Sequence, residues 1–214
     1  MKSLLILFTN IIMLSSFGQG SPFGPKKVFI GTQVWMAQNL NVDTYRNGDI
    51  IPQVTDATKW SSLTTGAWCY YNNDPANGPI YGKLYNWYAV NDPRGLAPKG
   101  WHIPSDAEWR KLFTELGGLS LASGKMKSTE NTRWTNRNSD ATNESGFAGL
   151  PGGVRYWASA NFSMFDSYFG AHGYWWSASK NKSDIYAFTL TSRSSSFKGN
   201  SSMKNGMSVR CVRD

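Results

Sequence analysis

The apolar residues of this chain fall in short runs that are separated by glycine and by polar turns. Strand-forming residues fill 28–36, and Gly31 predicts a turn between two short strands there. Apolar and polar residues alternate over 186–190 and 208–213, which predicts a strand in each segment, and the run 67–71 predicts another. Short strands divided by turns indicate small antiparallel sheets.

One segment has the spacing of an amphipathic helix. Its apolar residues recur three or four positions apart: Trp109, Leu112, Phe113 and Leu116. Ser105 and Glu108 have the spacing of a capping box, and Gly117 follows the last apolar residue. The pattern predicts a helix over 106–116.

Three other segments have weaker patterns. The spacing in 81–90 fits either a buried helix or a strand, and we favour a helix. The polar segment 119–145 predicts a loop. Alternation over 208–213 places Arg210 and Val212 on one face of a strand and Val209, Cys211 and Arg213 on the other.

The first 20 residues have a pattern unlike the rest of the chain. Lys2 precedes a short apolar run, which gives way to small and polar residues near Gln19 and Gly20. This pattern is typical of a secretory signal peptide, because the run is too short to span a bilayer. The alternative is a buried N-terminal helix.

We therefore expect a signal peptide over 1–20, a flexible lead-in over 21–27 and one domain over 28–214. No later stretch contains 18 consecutive apolar residues, so no transmembrane segment is expected in the mature chain. No cysteine lies near the expected cleavage point, so we do not expect a lipoprotein. The expected location is secreted, periplasmic or in the cell envelope.

The composition is basic and rich in aromatic residues. The 22 Lys and Arg exceed the 14 Asp and Glu, and 14% of residues are aromatic, including ten tryptophans. The basic residues are scattered and the chain is expected to be exported, so we do not expect a nucleic-acid partner. A solvated basic surface is the favoured interpretation, and attraction to anionic cell-surface polymers is the alternative.

The chain has two cysteines, Cys69 and Cys211. In an oxidising compartment an even number of cysteines fits a disulfide, and we predict one between them. Two free buried thiols are the alternative.

No constellation of residues predicts a metal site or a catalytic site. Asp140, Asn143 and Glu144 could offer oxygens to calcium, but they lack the spacing of a dedicated loop. His102 lies between two apolar residues, which is more typical of a structural residue than of a base. Nucleophile-elbow, phosphate-loop, dinucleotide and His-Glu-x-x-His motifs are absent, so we expect neither an enzyme nor a cofactor.

Aromatic residues cluster between 155 and 176, where rings can stack on sugar faces while polar neighbours bind hydroxyl groups. We predict a saccharide-binding surface that contains Arg155, Trp157, Asn161 and Asp166. We assign Trp175 and Trp176 to the core instead. The alternative is that all these rings fill the core of a loop-rich domain.

Several motifs in one order resemble the Fibrobacter succinogenes major paralogous domain. They occupy residues 28–40, 81–87, 100–105 and 208–214. The resemblance implies an exported protein of the bacterial envelope with no established activity.

Residues 104–109 and 209–211 also resemble, more distantly, the formylglycine-generating enzyme domain, which implies a C-type lectin-like fold. That enzyme family uses a pair of copper-binding cysteines late in the chain, whereas Cys211 here has no cysteine nearby. The calcium-dependent sugar motifs Glu-Pro-Asn and Gln-Pro-Asp are also absent. The likeness therefore implies a fold without either activity.

We expect an α+β protein that is C-type lectin-like and loop-rich, with small antiparallel sheets and one or two helices. The expected function is a non-catalytic binding module of the envelope, with a glycan or a cell-surface protein as ligand. The alternatives are an enzyme of unknown type on this fold and a structural surface protein.

Overall fold

The computed structural model describes residues 24–130, 133–134, 138–158, 170–181, 184–191, 195–198 and 201–214. These residues form nine β-strands, five α-helices and two short 3-10 helices. The strands are β1 (Lys27–Ile30), β2 (Gln33–Met36), β3 (Trp68–Cys69), β4 (Leu84–Tyr85), β5 (Trp101–His102), β6 (His172–Asn181), β7 (Asp184–Thr191), β8 (Ser195–Lys198) and β9 (Val212–Arg213). The α-helices are α1 (Ala57–Ser62), α2 (Gly78–Tyr81), α3 (Trp87–Val90), α4 (Asp106–Glu115) and α5 (Leu119–Met126), and the 3-10 helices are Tyr71–Asn73 and Pro75–Asn77. The predicted α+β fold with small antiparallel sheets is confirmed, with more helices than the one or two expected.

The four-stranded sheet brings together the two ends of the described chain. Its order is β1-β2-β9-β5, and all its pairs are antiparallel. The turn between β1 and β2 contains Gly31 at φ 56°, a left-handed conformation that favours glycine, so the predicted hairpin is confirmed. Because β9 lies between β2 and β5, the C-terminal segment is held on both sides.

Two smaller sheets complete the strand pairing. The strands β3 and β4 pair with each other, and β6, β7 and β8 form a three-stranded sheet in that order. The predicted strand at 186–190 is therefore confirmed as part of β7, whereas the one at 67–71 is confirmed only at Trp68–Cys69, because a 3-10 helix begins at Tyr71. An isolated parallel bridge between Trp175 and Ser208 links the three-stranded sheet to the C-terminal segment.

The helix α4 begins with the predicted capping box. Ser105 Oγ accepts a hydrogen bond from the Glu108 amide at 3.3 Å, and the Ser105 amide donates to Glu108 Oε2 at 2.8 Å. These bonds satisfy amides that have no partner within the helix. The predicted helix is confirmed to within one residue at its C-terminal end.

Three segments differ from their predictions. The expected loop over 119–145 contains α5, which forms because Ala122 and Met126 are buried against the core. The segment 81–90 contains the end of α2, the strand β4 and the helix α3, so it is both strand and helix. Within 208–213 only Val212–Arg213 is a strand, so the predicted strand is too long. Val209 and Cys211 pack in one core cluster, whereas Val212 and the Arg210 guanidinium pack against another, which agrees with the predicted separation into two faces.

One aromatic cluster fills the space between α4 and the two larger sheets. Trp35 lies 4.7 Å from Trp109, Trp109 lies 5.0 Å from Phe188, and Phe147 lies 5.7 Å from Trp175, measured between ring centroids. All five rings are buried. Full burial of each such side chain contributes roughly 1.5–3 kcal/mol, so this cluster is a main source of stability.

A second cluster contains Trp176, whose Nε1 donates a hydrogen bond to the Tyr85 carbonyl at 2.7 Å. Trp175 and Trp176 are therefore both core residues, as predicted. Their indole nitrogens are satisfied inside the protein, which is the usual requirement for burying tryptophan.

The predicted disulfide between Cys69 and Cys211 is wrong, because both cysteines are free and buried in the structure. Cys69 packs in a small cluster with Trp60 and Leu84, whereas Cys211 belongs to the larger cluster around Trp176. Each thiol thus fills a place in a different part of the core. Burial raises the pKa of Cys69 to about 11 and that of Cys211 to about 12, which favours the protonated thiol.

Within the part of the chain that the structure describes, no helix has both the length and the apolar character needed to cross a membrane.

Candidate functional site

A polar cleft lies beside the segment that follows β2. Its volume is about 510 Å³, and its walls come from residues 37–41 and 78–82 and from Ser128, Glu130, Arg133, Ala148 and Leu150. Arg210 from the C-terminal segment also lines it. We name this concavity the α2 cleft.

Polar side chains are common in the α2 cleft. The uncharged ones are Gln38, Asn39, Asn41 and Ser128. The charged ones are Lys26, Glu130, Arg133 and Arg210. Apolar contacts come from α2 and from the loop at 148–150. A concave surface with a few fixed polar groups is the usual form of a ligand site.

Arg210 is only 1% exposed, and its hydrogen bonds go to uncharged acceptors. Nε and Nη2 donate to Asn39 Oδ1 at 3.0 and 2.7 Å. Nη1 donates to the carbonyls of Met36 at 3.1 Å and Phe147 at 2.6 Å. Among the described residues, no carboxylate forms an ion pair with this guanidinium. Within the described part of the chain, this buried positive charge at the cleft therefore has no negative partner.

Hydrogen bonds to both the oxygen and the nitrogen of its side-chain amide hold Asn39 in place. Besides Arg210, its Oδ1 accepts from Trp175 Nε1 at 2.8 Å. Its Nδ2 donates to the Tyr81 carbonyl at 2.8 Å and to Ser208 Oγ at 3.2 Å. The Asn39–Arg210 pair is thus fixed before any ligand arrives, which reduces the entropy cost of binding.

Burial lowers the pKa of Arg210 from its usual value to about 9. The cause is desolvation, which disfavours the charged form of a basic group. Because this pKa still lies well above neutrality, Arg210 carries its charge at pH 7.

Two backbone positions that line the cleft have left-handed φ angles. Gly82 has φ 74°, and a Cβ at this position would lie 2.7 Å from the Leu40 carbonyl oxygen, so glycine is required. Ala148 has φ 50°, and its amide donates to Asn143 Oδ1 at 2.8 Å. Strained conformations of this kind persist where the surroundings hold them, and they concentrate at functional sites.

A sequence profile of the Fibrobacter succinogenes major domain matches residues 28–213, which is most of the chain. The chain belongs to the Fibrobacter succinogenes major domain family. Among curated proteins and among solved structures, none matches it significantly.

Three of the four segments that carry the resemblance to the Fibrobacter succinogenes major domain meet at the α2 cleft. Asn39 comes from the first segment, Gly82 from the second and Arg210 from the last. None of these three residues was predicted from the sequence to be a site residue. The available signal was a charged residue, Arg210, between the apolar Val209 and Cys211, together with an asparagine three residues after the end of β2.

The sequence predicted that Arg155 lies at a saccharide-binding surface. This prediction is wrong, because only 2% of Arg155 is exposed. Its guanidinium donates to the carbonyls of Val54 at 2.8 Å and Thr55 at 3.0 Å, and it lies 4.2 Å from the Trp60 ring centroid. The side chain therefore ties the segment before α1 to the core.

Trp157 is 44% exposed, and Lys204 Nζ lies 5.7 Å from its ring centroid. Its amide donates to Asn205 Oδ1 at 3.2 Å, which fixes the backbone beneath the ring. The other two predicted members of this surface, Asn161 and Asp166, lie outside the described residues. Trp157 alone of the predicted set thus faces solvent within the described structure.

His102 is held between two carboxylates. Its Nδ1 lies 2.8 Å from Asp214 Oδ1, and its Nε2 lies 2.7 Å from Glu108 Oε1. Partial burial is the largest single influence and lowers its pKa, but the two carboxylates together outweigh burial and raise the pKa above the usual 6.5. Because both ring nitrogens are engaged, the geometry agrees with a structural role and not with a base.

The residues considered for calcium have other partners. Asp140 pairs with the buried Lys127, Glu144 lies 3.5 Å from Lys125 Nζ, and Asn143 holds the strained turn at Ala148. Among the described residues, no group of three or more His, Cys, Asp or Glu side chains is placed to hold a metal ion.

Proposed function

We propose that this protein is an exported, non-catalytic binding module of the bacterial envelope and that its ligand occupies the α2 cleft. The observation that carries the proposal is the Asn39–Arg210 pair, a rigid polar floor in a concavity of about 510 Å³. Preformed hydrogen-bonding groups in a cleft of this size suit a small ligand or the end of a polymer.

A saccharide is the ligand class that we favour. The side chains of Gln38, Asn41 and Ser128 offer amide and hydroxyl groups, which both donate to and accept from sugar hydroxyls. Pro79 and Ile80 supply apolar surface for the C–H faces of a ring. A cell-surface protein that inserts a polar loop into the cleft is the second ligand class.

The exposed ring of Trp157 is a second candidate surface for saccharide. A ring that is 44% exposed beside a lysine can stack on a sugar face and attract acidic substituents. This surface does not include Arg155.

The C-type lectin-like fold and the likeness to the formylglycine-generating enzyme domain remain proposals. Cys69 and Cys211 are buried in different core clusters, so they do not form the pair of cysteines that the copper chemistry of that enzyme family uses. Burial also raises the pKa of each thiol, which disfavours a thiolate nucleophile. This supports a binding role over the alternative of an enzyme with reactive cysteines.

Export from the cytoplasm is proposed from the charged and apolar pattern of residues 1–20. N-terminal sequencing of protein recovered outside the cytoplasm tests it. We expect the mature chain to start between about residues 18 and 22, as the signal-peptide pattern implies. Recovery of exported protein that retains Met1 would contradict this proposal.

The binding site is tested by a glycan array, followed by calorimetric titration of the best-bound glycan. The double variant Gln38→Ala and Asn41→Ala removes two exposed side chains from the cleft, and Gln53→Ala is the matched control at an exposed position outside it. We expect the double variant to lose about tenfold or more in affinity, as for two lost hydrogen bonds, and the control to bind like wild type.

If the double variant still bound the glycan but Trp157→Ala did not, the binding site would be the surface at Trp157 and not the α2 cleft. If wild-type protein bound neither glycans nor envelope proteins, the binding function would be wrong and a structural surface role would replace it.

A further inference from the structure

The charges of the α2 cleft are unbalanced. Lys26, Arg133 and Arg210 line it, and Glu130 is the only acidic residue among its described lining residues. Glu130 already lies near a cation, since its Oε2 is 3.6 Å from Arg133 Nε. The cleft therefore has an excess of positive charge.

Arg210 is the most deeply buried of the positive charges that line the cleft. Taking a guanidinium out of water is unfavourable unless a negative charge compensates, and its partners here are an amide and two carbonyls. Charge–charge attraction is stronger where water is excluded, so an anion in the cleft gains more from Arg210 than from a surface cation.

Arg133 adds a second, independent signal. Its guanidinium hydrogen-bonds to the Tyr81 side chain, but its Nε is buried and makes no hydrogen bond within the described chain, because the 3.6 Å approach of Glu130 is too long for one. Unpaired donors of this kind are rare in native proteins and call for an explanation such as an absent ligand.

We propose that the α2 cleft recognises an acidic group, a carboxylate or phosphate carried by the ligand, through Arg133 and Lys26 above the buried charge of Arg210. The inference rests on the proposed function, because it names the ligand class of the same cleft. The favoured ligand is an acidic saccharide such as a uronic acid oligomer. The same chemistry also admits a free anion.

The test compares three probes by calorimetric titration: trigalacturonate, its fully methyl-esterified form and sodium phosphate. The ester keeps the sugar skeleton and removes the charge. We expect trigalacturonate to bind at least about tenfold more tightly than the ester and to weaken as salt increases, as a charge-assisted contact should.

Matched variants test whether the tighter binding of trigalacturonate depends on the charges of the α2 cleft. Lys26→Gln and Arg133→Gln each remove a charge that lines the cleft, whereas Lys27→Gln and Arg213→Gln remove exposed charges outside it. We expect Arg133→Gln to weaken trigalacturonate binding about 10-fold and Lys26→Gln about 3-fold, with both controls unchanged. None of these residues is in the core, so thermal melting should confirm that every variant is folded.

The outcomes separate this inference from the proposed function. If the ester and the acid bind equally, or if both cleft variants bind trigalacturonate like wild type, the acidic ligand class is wrong while a neutral ligand can still occupy the cleft. If phosphate binds with the same dependence on Arg133, the acidic class stands and its source is a free anion. If none of the probes binds and the glycan array is also empty, both proposals fail.

Discussion

At the residue scale, Arg210 joins segments that are far apart in the sequence. Its guanidinium bonds to Asn39 and to the carbonyls of Met36 and Phe147, and it lies 4.2 Å from the Phe147 ring centroid. One side chain thus connects β2, the loop after α5 and the C-terminal segment, and its removal leaves buried acceptors without donors.

We therefore expect Arg210→Met to lower the free energy of unfolding by about 2–5 kcal/mol, since each unsatisfied buried group costs roughly 1–3 kcal/mol. The exposed Arg213 supplies the control, and Arg213→Met should change stability by less than about 0.5 kcal/mol. Urea denaturation measures both values. An Arg210→Met protein as stable as wild type would show that the network contributes little to folding.

The tryptophans at 157 and 176 should differ in how strongly their truncation destabilises the protein. Trp176 is fully buried, so Trp176→Ala should destabilise the protein by about 3–5 kcal/mol. Trp157 is 44% exposed, so Trp157→Ala should cost about 1 kcal/mol or less. Thermal melting separates the two variants. Unfolding of Trp157→Ala at room temperature would mean that this ring is part of the core.

At the scale of elements, His102 links three parts of the structure. It sits on β5, contacts Glu108 in the first turn of α4 and contacts the C-terminal Asp214. Hydrogen bonds to two carboxylates stabilise the imidazolium, which raises its pKa in the folded state despite the opposing effect of partial burial.

This geometry predicts a pH dependence of stability. The pKa of His102 is higher in the folded protein than in the unfolded chain. Its contribution to the free energy of unfolding is therefore fully present below the unfolded pKa of 6.5 and is lost as pH rises through the folded pKa. The pair is partly exposed, so we expect the loss to be about 0.5 kcal/mol or less. Urea denaturation between about pH 5.5 and about pH 9 measures it, with His102→Gln as the control. The same slope in His102→Gln as in wild type would assign the effect to other groups.

At the scale of the whole molecule, the hydrophobic core is divided into clusters, and the two cysteines lie in different ones. We expect native protein to resist alkylation because both thiols are buried and their pKa values are raised. Denatured, unreduced protein should take up two alkyl groups, which intact mass measures. A mass that shows no alkylation after denaturation would instead indicate a bond between the cysteines.

The sequence by itself determined the elements whose information is local. The capping box at Ser105 and Glu108 and the turn at Gly31 depend on a few neighbouring residues, and both were predicted correctly. The family also followed from the sequence, because its motifs occur in one order along the chain. The burial of Trp175 and Trp176 was predicted from their position in a strand-like run.

Only the tertiary structure decided the rest. The helix α5 lacks a side-chain cap and forms where its small apolar face meets the core, so its polar segment gave no local signal. The α2 cleft depends on Asn39 meeting Arg210 across 171 positions of sequence, and no periodicity encodes such a pairing. The burial of Arg155 and the separation of Cys69 from Cys211 have the same cause, since burial is set by how distant segments pack against one another.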